Sequence, residues 1–446
     1  MTECSKTFGF GAIGKRDVRA VFDGGKITSD AGVLLVREAD RRLGLSERLA
    51  ACIPDWRDPD GITHTLPDLL RQRVFQIAMG YEDCDDAGTL RADPAFKAAL
   101  GRAPDSGDDL ASQPSLSRLE NRVDNAAIQR LLEALVDHWI EHRERPASGW
   151  LILDVDATDA ETHGQQEFAA FHAFYDEHCY LPLLIHDGES GDLIVPFLRP
   201  GRVAAKAGAD GLLLYLARRV RAKWPQVKVL VRGDSGFCSE SFYAQMETNG
   251  VFYLLGLAQN ANLRRLAEPL MTPVRGLALL CDTKMTAFAE GEYQAESWAK
   301  ARRVIVKAER LEGKDNPRFL VTNLDSREGA PEALYRGLYC QRAEASENRI
   351  KDLMNGCQAG RLSCHRFAAN FFRLILHAAA YILLHDLRQH LAGTGLAKAE
   401  IQTIRLKLLK LGARVVQTAR HIWLHMASAF PLQDLWEHLH RKLVLE

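Results

Sequence analysis

Residues 151–159 limit what this chain can fold into more than any other stretch. They read Leu-Ile-Leu-Asp-Val-Asp-Ala-Thr-Asp. Alternate residues of a β-strand point to opposite faces, so the leucines and Val155 lie on one face, which must be buried. Asp154 and Asp156 then lie side by side on the other face. Two like charges on an apolar strand need a shared proton or bound cations, unless they end the strand and cap the following turn. The stretch indicates either a functional site or a capped turn.

Length and charge set the broad class of the protein. At 446 residues, with 47% hydrophobic and 26% charged residues, the chain is long enough for two or three domains with hydrophobic cores. The net charge of -1 provides no global basic field, so a nucleic-acid partner would be held by local patches. Nine irregularly spaced cysteines without a C-x-x-C pair indicate free thiols in a reducing cytosol.

The sequence predicts no association with a membrane. Residues 1–17 have no apolar core of the kind found in a secretory signal. The most apolar segment, residues 371–384, is short for a membrane span and is interrupted by Arg373 and His377. We expect this segment to be a core helix.

Helix and strand patterns divide the chain into five consecutive segments. Residues 1–145 are predicted to be mainly helical, and residues 146–255 alternate strands and helices. Within the latter segment, two apolar runs, residues 181–187 and 193–198, are separated by glycines and Ser190 and predict a hairpin. Residues 256–328 break this rhythm with a β-rich pattern, which we interpret as an insertion. Helical pattern returns over residues 329–392, and a Gly/Thr linker leads to a basic C-terminal region, residues 393–446. The order predicts an α/β fold with helical or basic flanking regions.

Two basic segments could contact DNA. The first, residues 112–122, begins with Ser and Gln and continues with Arg118 and Arg122, as a helix entering a DNA groove does. The alternative for it is a capped surface helix with Ser115 as N-cap. The second, residues 401–422, contains five basic residues and no acidic one, and its pattern suits either a hairpin or a helix. These residues are Arg405, Lys407, Lys410, Arg414 and Arg420.

Two further carboxylates are predicted to join the first pair. Residues 227–236 form a buried-type strand that ends at Asp234, and a crossover helix makes it a parallel neighbour of the first strand. The charged helix of residues 339–352 carries Glu347. Two aspartates on adjacent strands and a glutamate on a following helix are a common way to hold two divalent ions for phosphodiester chemistry. Oxygen ligands favour Mg²⁺, with Mn²⁺ possible, over Zn²⁺.

These motifs resemble those of a bacterial insertion-sequence DDE transposase. The resemblance rests on Asp156-Ala-Thr158, on Val231-Arg-Gly-Asp-Ser-Gly236, and on Tyr339-x-x-Arg342 followed by Glu347-Asn-Arg-Ile-Lys351. Flanking segments in the style of that family extend it over nearly the whole chain. The resemblance implies an RNase H-like mixed-sheet core, a β-rich insertion before the glutamate helix, and flanking DNA-binding regions.

The resemblance assigns the metal ligands. Asp156 is the first, because the family's motif has Thr two positions after its aspartate, and Asp154 on the same face is an additional candidate. Asp234 is the second ligand and Glu347 the third, with Glu344 as the alternative to Glu347. The related motif places its glutamate four residues after the arginine, where this chain has Ser346. The register of Glu347 relative to the Tyr and Arg of its motif therefore stays open.

The resemblance also implies DNA-contacting residues near the scissile bond. Arg342, Arg349 and Lys351 would contact phosphates, and their alternative role is a salt-bridged helix surface. An aromatic residue of the insertion, Trp298 or Tyr293, could stack on a flipped base at the transposon end, and its alternative role is core or hairpin packing.

The expected function is that of a DNA transposase. It would bind the terminal inverted repeats of its element, use two metal ions to cleave DNA, and join the freed 3′-OH to target DNA. Because two DNA ends must be paired, we expect at least a homodimer on DNA, acting in the bacterial cytoplasm at the nucleoid. Two alternatives are a metal-dependent nuclease of the same core without strand transfer, and a DNA-binding derivative that has lost catalysis.

Overall fold

The structure is a computed structural model that describes residues 6–445, apart from the side chains of residues 343–345. It contains two compact units. The helical unit comprises Met1–Ala127, Asp352–Gln358 and Ile375–Glu446, and the sheet unit comprises Ile128–Lys351 and Ala359–Leu374. Each unit is therefore assembled from segments that are distant in sequence.

The helices in chain order are α1 (Val33–Leu43), α2 (Leu45–Ala51), α3 (Leu66–Ala78), α4 (Ala87–Leu90), α5 (Pro94–Ala99), α6 (Gln113–Arg122), α7 (Asn125–His142), α8 (Ala209–Lys223), α9 (Glu240–Thr248), α10 (Ala261–Cys281), α11 (Cys340–Lys351), α12 (Phe367–His390), α13 (Ile401–Ile404) and α14 (Gln433–His440). Short 3₁₀ turns lie at Pro59–Gly61 and Ser235–Phe237, and π-helical turns lie at Ala333–Tyr339, Asp352–Gly356, Arg405–Leu409 and Arg441–Leu445.

The strands in chain order are β1 (Phe8–Ile13), β2 (Arg16–Ala20), β3 (Ile27–Thr28), β4 (Trp150–Ala157), β5 (Ala160–Glu161), β6 (Ala170–His172), β7 (Glu177–Tyr180), β8 (Leu183–Asp187), β9 (Leu193–Phe197), β10 (Lys228–Gly233), β11 (Phe252–Leu257), β12 (Met285–Tyr293), β13 (Arg302–Leu311), β14 (Lys314–Asp315), β15 (Arg318–Thr322), β16 (Ala413–Gln417) and β17 (Ile422–Met426).

A mixed sheet forms the centre of the sheet unit. Its strand order is β12-β13-β15-β11-β10-β4-β8-β9, with β14 paired to β13. The neighbours β4, β10 and β11 run parallel, as a crossover connection requires, and β4 pairs antiparallel with β8. The apolar face of β4 is fully buried in the core with residues of α8 and α9. The predicted parallel pairing of the two aspartate strands and the predicted hairpin of β8 and β9 are confirmed.

The predicted insertion, residues 256–328, extends the same sheet. β15 pairs with β11, and β13 and β12 continue outward from it. The insertion also contains the 21-residue helix α10, which includes Pro269 and Pro273. Its buried residues Leu263, Ala267 and Met271 join the core cluster of the sheet unit. The β-rich pattern identified the strands of this region but missed its longest element.

The helical unit is built around buried polar pairs as well as apolar contacts. α3 begins after Thr65, whose side chain accepts a hydrogen bond from the backbone of Asp68, and has Pro67 in its first turn. Inside the unit, Arg73 Nε lies 2.7 Å from Glu120 Oε1, and both side chains are almost fully buried. The basic C-terminal segment forms a helical turn followed by the hairpin of β16 and β17.

One described helix, Phe367–His390, is long and apolar enough to cross a membrane by length and composition. However, 89% of its most apolar 18-residue window is buried inside the protein. It is a core helix, as the sequence predicts.

Candidate active site

The predicted carboxylates Asp156 and Asp234 lie at the same edge of the mixed sheet. Strands β10 and β4 are parallel, with Arg232 in register with Asp154. Asp234 directly follows β10, so it reaches the same end of the sheet as Asp156, two residues beyond the paired positions. The charge of Asp234 also acts on Asp156, where it contributes to a raised pKa. The structure therefore brings together the first two residues of the predicted motif.

Asp154 has a structural role instead of the predicted role in metal binding. Its side chain is fully buried, and Arg232 donates to both of its oxygens, at 2.7 Å through Nε and at 2.8 Å through Nη2. Arg349 Nη1 lies 3.3 Å from the same carboxylate. Both oxygens are engaged by cations of the protein, so Asp154 is corrected from candidate ligand to a buried ion-pair partner.

Asp156 is a buried carboxylate with two close partners. Ser346 Oγ donates to its Oδ2 at 2.5 Å, and an Arg342 amino group donates to its Oδ1. Burial raises the pKa of Asp156 to about 6, although the Arg342 charge and the Ser346 hydrogen bond act in the opposite direction. The ionised form therefore depends on nearby positive charge at neutral pH.

Asp234 lies in a more open setting. It is exposed, and its Oδ1 accepts a hydrogen bond from Gly236 N at 2.7 Å, which caps the short 3₁₀ turn after β10. Tyr339 lies close by. Burial raises the pKa of its hydroxyl, and the negative charges of Asp234 and Asp156 raise it further. The site thus pairs one buried carboxylate with one exposed carboxylate beside a half-buried tyrosine.

Helix α11 presents Ser346, and not Glu347, to Asp156. Arg342 and Ser346 are four residues apart and share the helix face that contacts β4. Glu347 is one residue further along, about 100° around the helix. Its side chain is 67% exposed and lies 2.8 Å from Lys351 Nζ. The alternative ligand Glu344 falls among the side chains outside the described residues.

The chemistry of the donors supports a divalent ion only in part. Asp156 and Asp234 offer hard oxygen ligands from neighbouring strand ends. Among the described residues, however, no group of three His, Cys, Asp or Glu side chains is close enough to hold a metal ion. The described side chains therefore do not assemble a complete set of three carboxylates, and Ser346 stands where the third one is expected.

Comparison with known proteins decides the family. A family model described as transposase DDE domain group 1 matches residues 10–445. The chain belongs to this DDE transposase family. Among solved structures, it is similar to the piggyBac transposase synaptic complex with hairpin DNA, studied by cryo-electron microscopy, at a TM-score of 0.43 and 11% sequence identity over 86% of this chain and 80% of that chain. A search of curated proteins found no match. The protein is an enzyme of DNA transposition.

Three predicted DNA contacts of the transposase occupy protein-internal or paired positions. Arg342 is 7% exposed and bound to Asp156, and Lys351 pairs with Glu347 on the surface. Arg349 also donates toward the backbone oxygen of Asp187 at 3.3 Å. The salt-bridged surface alternative describes Lys351, whereas Arg342 and Arg349 contact the buried aspartates of β4.

Trp298 is a core residue of the transposase, which corrects its predicted role in base stacking. It is 7% exposed, and its ring lies edge-on to Tyr243 at 5.1 Å and to Tyr293 at 5.4 Å between centroids. The Arg302 guanidinium carbon lies 5.5 Å from the same ring. A DNA base could not reach this ring without unpacking the insertion.

The basic residues predicted in the helical unit divide into two groups. Arg118 and Lys407 are exposed and remain candidates for DNA contact. Arg405 is buried and donates to the backbone oxygen of Ala78 at 2.8 Å, which corrects its assignment to the surface patch. Lys410 Nζ lies 2.7 Å from Asp30 Oδ1 and is likewise engaged within the protein.

Sequence reasoning missed the two side chains that hold the aspartates. Arg232 is 1% exposed and neutralises Asp154, and Ser346 holds Asp156. A signal for Arg232 was present, since a charged residue inside an apolar strand, in register with another charge, predicts a buried ion pair. The position of Ser346, four residues after Arg342, was noticed only as a departure from the family motif.

Proposed function

We propose that this protein is the transposase of a bacterial insertion sequence. It cleaves DNA at the terminal inverted repeats of its element and joins the freed 3′-OH to target DNA. The observation that carries the proposal is the meeting of Asp156 and Asp234 at one sheet edge, in a chain that matches the DDE family over residues 10–445. The catalytic sheet is proposed to be an RNase H-like core.

The proposed cofactor is a divalent ion, Mg²⁺ or Mn²⁺, with two ions per site. Bound ions would stabilise charge on the attacking and leaving oxygens of the phosphodiester. Asp156 and Asp234 would hold them, and the raised pKa of Asp156 means that its ionised form gains from a cation nearby. Arg342 supplies positive charge to Asp156 in the free protein.

Glu347 completes the set through a one-residue change of register in α11. The helix is bounded by π-helical turns at Ala333–Tyr339 and Asp352–Gly356, and such turns accommodate a shifted helical register. A rotation of about 100° would move Glu347 to the position that Ser346 occupies beside Asp156. Arg342 and Ser346 would then release the carboxylate.

The test is a cleavage and joining assay with the purified protein, Mg²⁺ and a duplex that carries the element's end. We expect Asp156→Asn and Asp234→Asn to lose cleavage by at least 100-fold, on the order of one lost transition-state contact. Glu296→Gln, an exposed carboxylate of the insertion, is the matched control. Cleavage that survives in both aspartate variants would overturn the proposed site, and cleavage without joining of pre-cut ends would indicate a nuclease.

The register change has its own test. Glu347→Gln is expected to remove cleavage, and the double variant Ser346→Glu with Glu347→Gln is expected to restore part of it, because it places a carboxylate beside Asp156 without a rotation. Full activity of Glu347→Gln would exclude Glu347 as the third ligand. The proposed assembly is a dimer that holds two DNA ends, at the nucleoid in the cytoplasm. Light scattering with and without end DNA measures the oligomeric state.

A further inference from the structure

The helical unit contains a pocket that the proposed site does not use. It encloses about 360 Å³ between α3, α6 and the segment before α3. Its floor is apolar and made of the buried residues Ile53, Leu69, Leu119 and Val123. We call it the Trp56 pocket, after the aromatic residue in its wall. The volume is in the range of small-ligand sites, and the apolar floor suits a flat ring.

Trp56 stands at this pocket with its ring free. It is 79% exposed, one of the most exposed large hydrophobic residues of the helical unit. Within the described part of the chain, no aromatic ring or cation packs on it. An exposed indole beside an apolar floor provides a stacking surface, and bases stack on such surfaces with little dependence on sequence.

Two arginines of α6 add positive charge to the same pocket. Arg118 and Arg122 are both exposed and, being four residues apart, lie on one face of the helix. Arg118 Nη2 donates to Ser115 Oγ at 3.2 Å, and neither arginine forms an ion pair with a carboxylate within the described residues. Their guanidinium groups are available to an anion, and phosphate is the anion that fits their fork geometry.

The acidic residues of the pocket cancel only part of this charge. Asp55 is held by Arg57, with Oδ2 2.6 Å from Nη2, and this hydrogen bond lowers the pKa of Asp55. Asp124 Oδ1 accepts a hydrogen bond from Ala127 N at 2.7 Å, at the start of α7. The Asp55–Arg57 pair is neutral as a whole, and the two α6 arginines outnumber the one remaining carboxylate, Asp124, so the pocket keeps a net positive charge.

We propose that the Trp56 pocket binds an unpaired DNA nucleotide, with the base stacked on Trp56 and the backbone phosphate at Arg118 and Arg122. The proposal rests on the proposed function and names the form of DNA that binds to this surface. A cavity of 360 Å³ accommodates one nucleotide but not a duplex, whose major groove alone is about 12 Å wide. An extruded or overhanging base meets the apolar floor, while its phosphate stays at the charged rim.

The experiment measures binding by the full chain to two fluorescent probes that share one duplex. One probe is blunt, and the other has a three-nucleotide 3′ overhang with 2-aminopurine. Trp56→Ala is expected to weaken binding to the overhang probe about tenfold, since removal of a stacking aromatic has an effect of this order. Its affinity for the blunt probe should change less than twofold. Trp56→Phe keeps a ring and should retain most of the overhang preference.

The arginines are tested with Arg118→Gln and Arg122→Gln. Each variant should weaken binding to the overhang probe several-fold and reduce the slope of log affinity against log salt concentration by about one. Phe22→Ala, 90% exposed in the same unit, and Arg16→Gln are matched controls and should leave both probes unchanged. All these side chains are exposed, so the variants should keep the wild-type fold, and thermal unfolding of each variant checks this.

A wild-type ratio of overhang to blunt affinity in Trp56→Ala would overturn the proposal. Its failure is distinguishable from failure of the proposed function. If overhang preference depends on Trp56 but Asp156→Asn still cleaves, the pocket stands and the catalytic assignment falls. If cleavage depends on Asp156 but Trp56→Ala keeps the overhang preference, the catalytic assignment stands and the pocket proposal falls.

Discussion

Arg232 donates to both carboxylate oxygens of Asp154, at 2.7 and 2.8 Å, and both side chains are buried. Asp154 lies two residues before Asp156 on β4, and Arg232 is its neighbour in register on β10. Arg232 engages both oxygens of Asp154, whereas Asp156 is held by Arg342 and Ser346 of α11. The sheet therefore distinguishes two carboxylates that are only two residues apart.

Loss of one partner of this pair should destabilise the sheet unit. Asp154→Ala leaves the guanidinium of Arg232 buried without its carboxylate, which costs about 3–5 kcal/mol in comparable buried pairs. We expect a corresponding decrease in the free energy of unfolding, measured by urea denaturation with circular dichroism. The double variant Asp154→Leu with Arg232→Met should recover most of the loss, since it removes both charges. A loss below about 1 kcal/mol in Asp154→Ala would contradict a buried role.

The raised pKa of Asp156 predicts how the stability of the metal-free protein depends on pH. The folded state holds the proton up to about pH 6, whereas an unfolded aspartate loses it near 3.8. Between these values the folded state binds more protons, so this group's contribution to stability decreases as the pH rises. Asp156→Asn has no such group, and its stability relative to the wild type should rise by about 2 kcal/mol from pH 4 to pH 7.

The measurement is urea unfolding of both proteins in EDTA at several pH values. Addition of Mg²⁺ at pH 7 should stabilise the wild type and leave Asp156→Asn unchanged, because a ligand that binds only the folded state raises its stability. A constant difference between the two proteins from pH 4 to pH 7 would contradict the raised pKa.

Strand pairing near the site was accessible to sequence reasoning because β4 and β10 carry strong local signals. Apolar alternation in β4, and a buried-type run that ends at Asp234, determine which carboxylates meet at one edge. Parallel strands with a crossover helix have very few alternative arrangements. This is why the sequence alone pairs the strand of Asp154 and Asp156 with the strand that ends at Asp234, whereas the choice of Asp156 rests on the family resemblance.

The helix register and the tertiary partners of long side chains were not accessible in the same way. Whether Ser346 or Glu347 faces Asp156 depends on a rotation of α11 by about 100°. The π-helical turns on either side of α11 set this rotation, and the pattern of charged residues in the helix is the same in both registers. Arg405 and Lys407 look alike in sequence, but only the former reaches a backbone oxygen across the unit. Local composition does not encode such contacts.

Trp298 should act on stability and not on DNA recognition. Its ring fills the space beside Tyr243 and Tyr293, so Trp298→Ala should cost about 3–5 kcal/mol through the cavity it leaves. Trp298→Phe should cost clearly less. The unfolding free energies measure this, and DNA affinity determined well below the unfolding temperature provides the contrast. Weakened DNA binding in a Trp298→Phe protein of unchanged stability would restore the stacking role.

At Gly32, the backbone of the N-terminal segment closely approaches the backbone of the C-terminal segment within the helical unit. Its N–H donates to Leu409 O at 3.1 Å, and a Cβ at this glycine would lie 2.2 Å from Leu409 Cα. Gly32→Ala must therefore displace the backbone, and we expect a loss of about 1–3 kcal/mol or more. Gly61→Ala is the control, since a Cβ there meets nothing within 4 Å. Equal stabilities of the two variants would contradict this packing.

Two lysines of the C-terminal segment should behave differently when each is changed to glutamine. Lys407 is exposed, so Lys407→Gln should leave stability unchanged, weaken DNA binding, and reduce the salt slope of affinity by about one. Lys410 pairs with Asp30, which is 1% exposed and also accepts from Ser29 and Tyr81, so Lys410→Gln should lower stability by about 1–3 kcal/mol. Its salt slope should stay at the wild-type value. Binding titrations at four salt concentrations, together with unfolding curves, separate the two outcomes, and a reduced slope for Lys410→Gln would mean that DNA competes with Asp30 for this lysine.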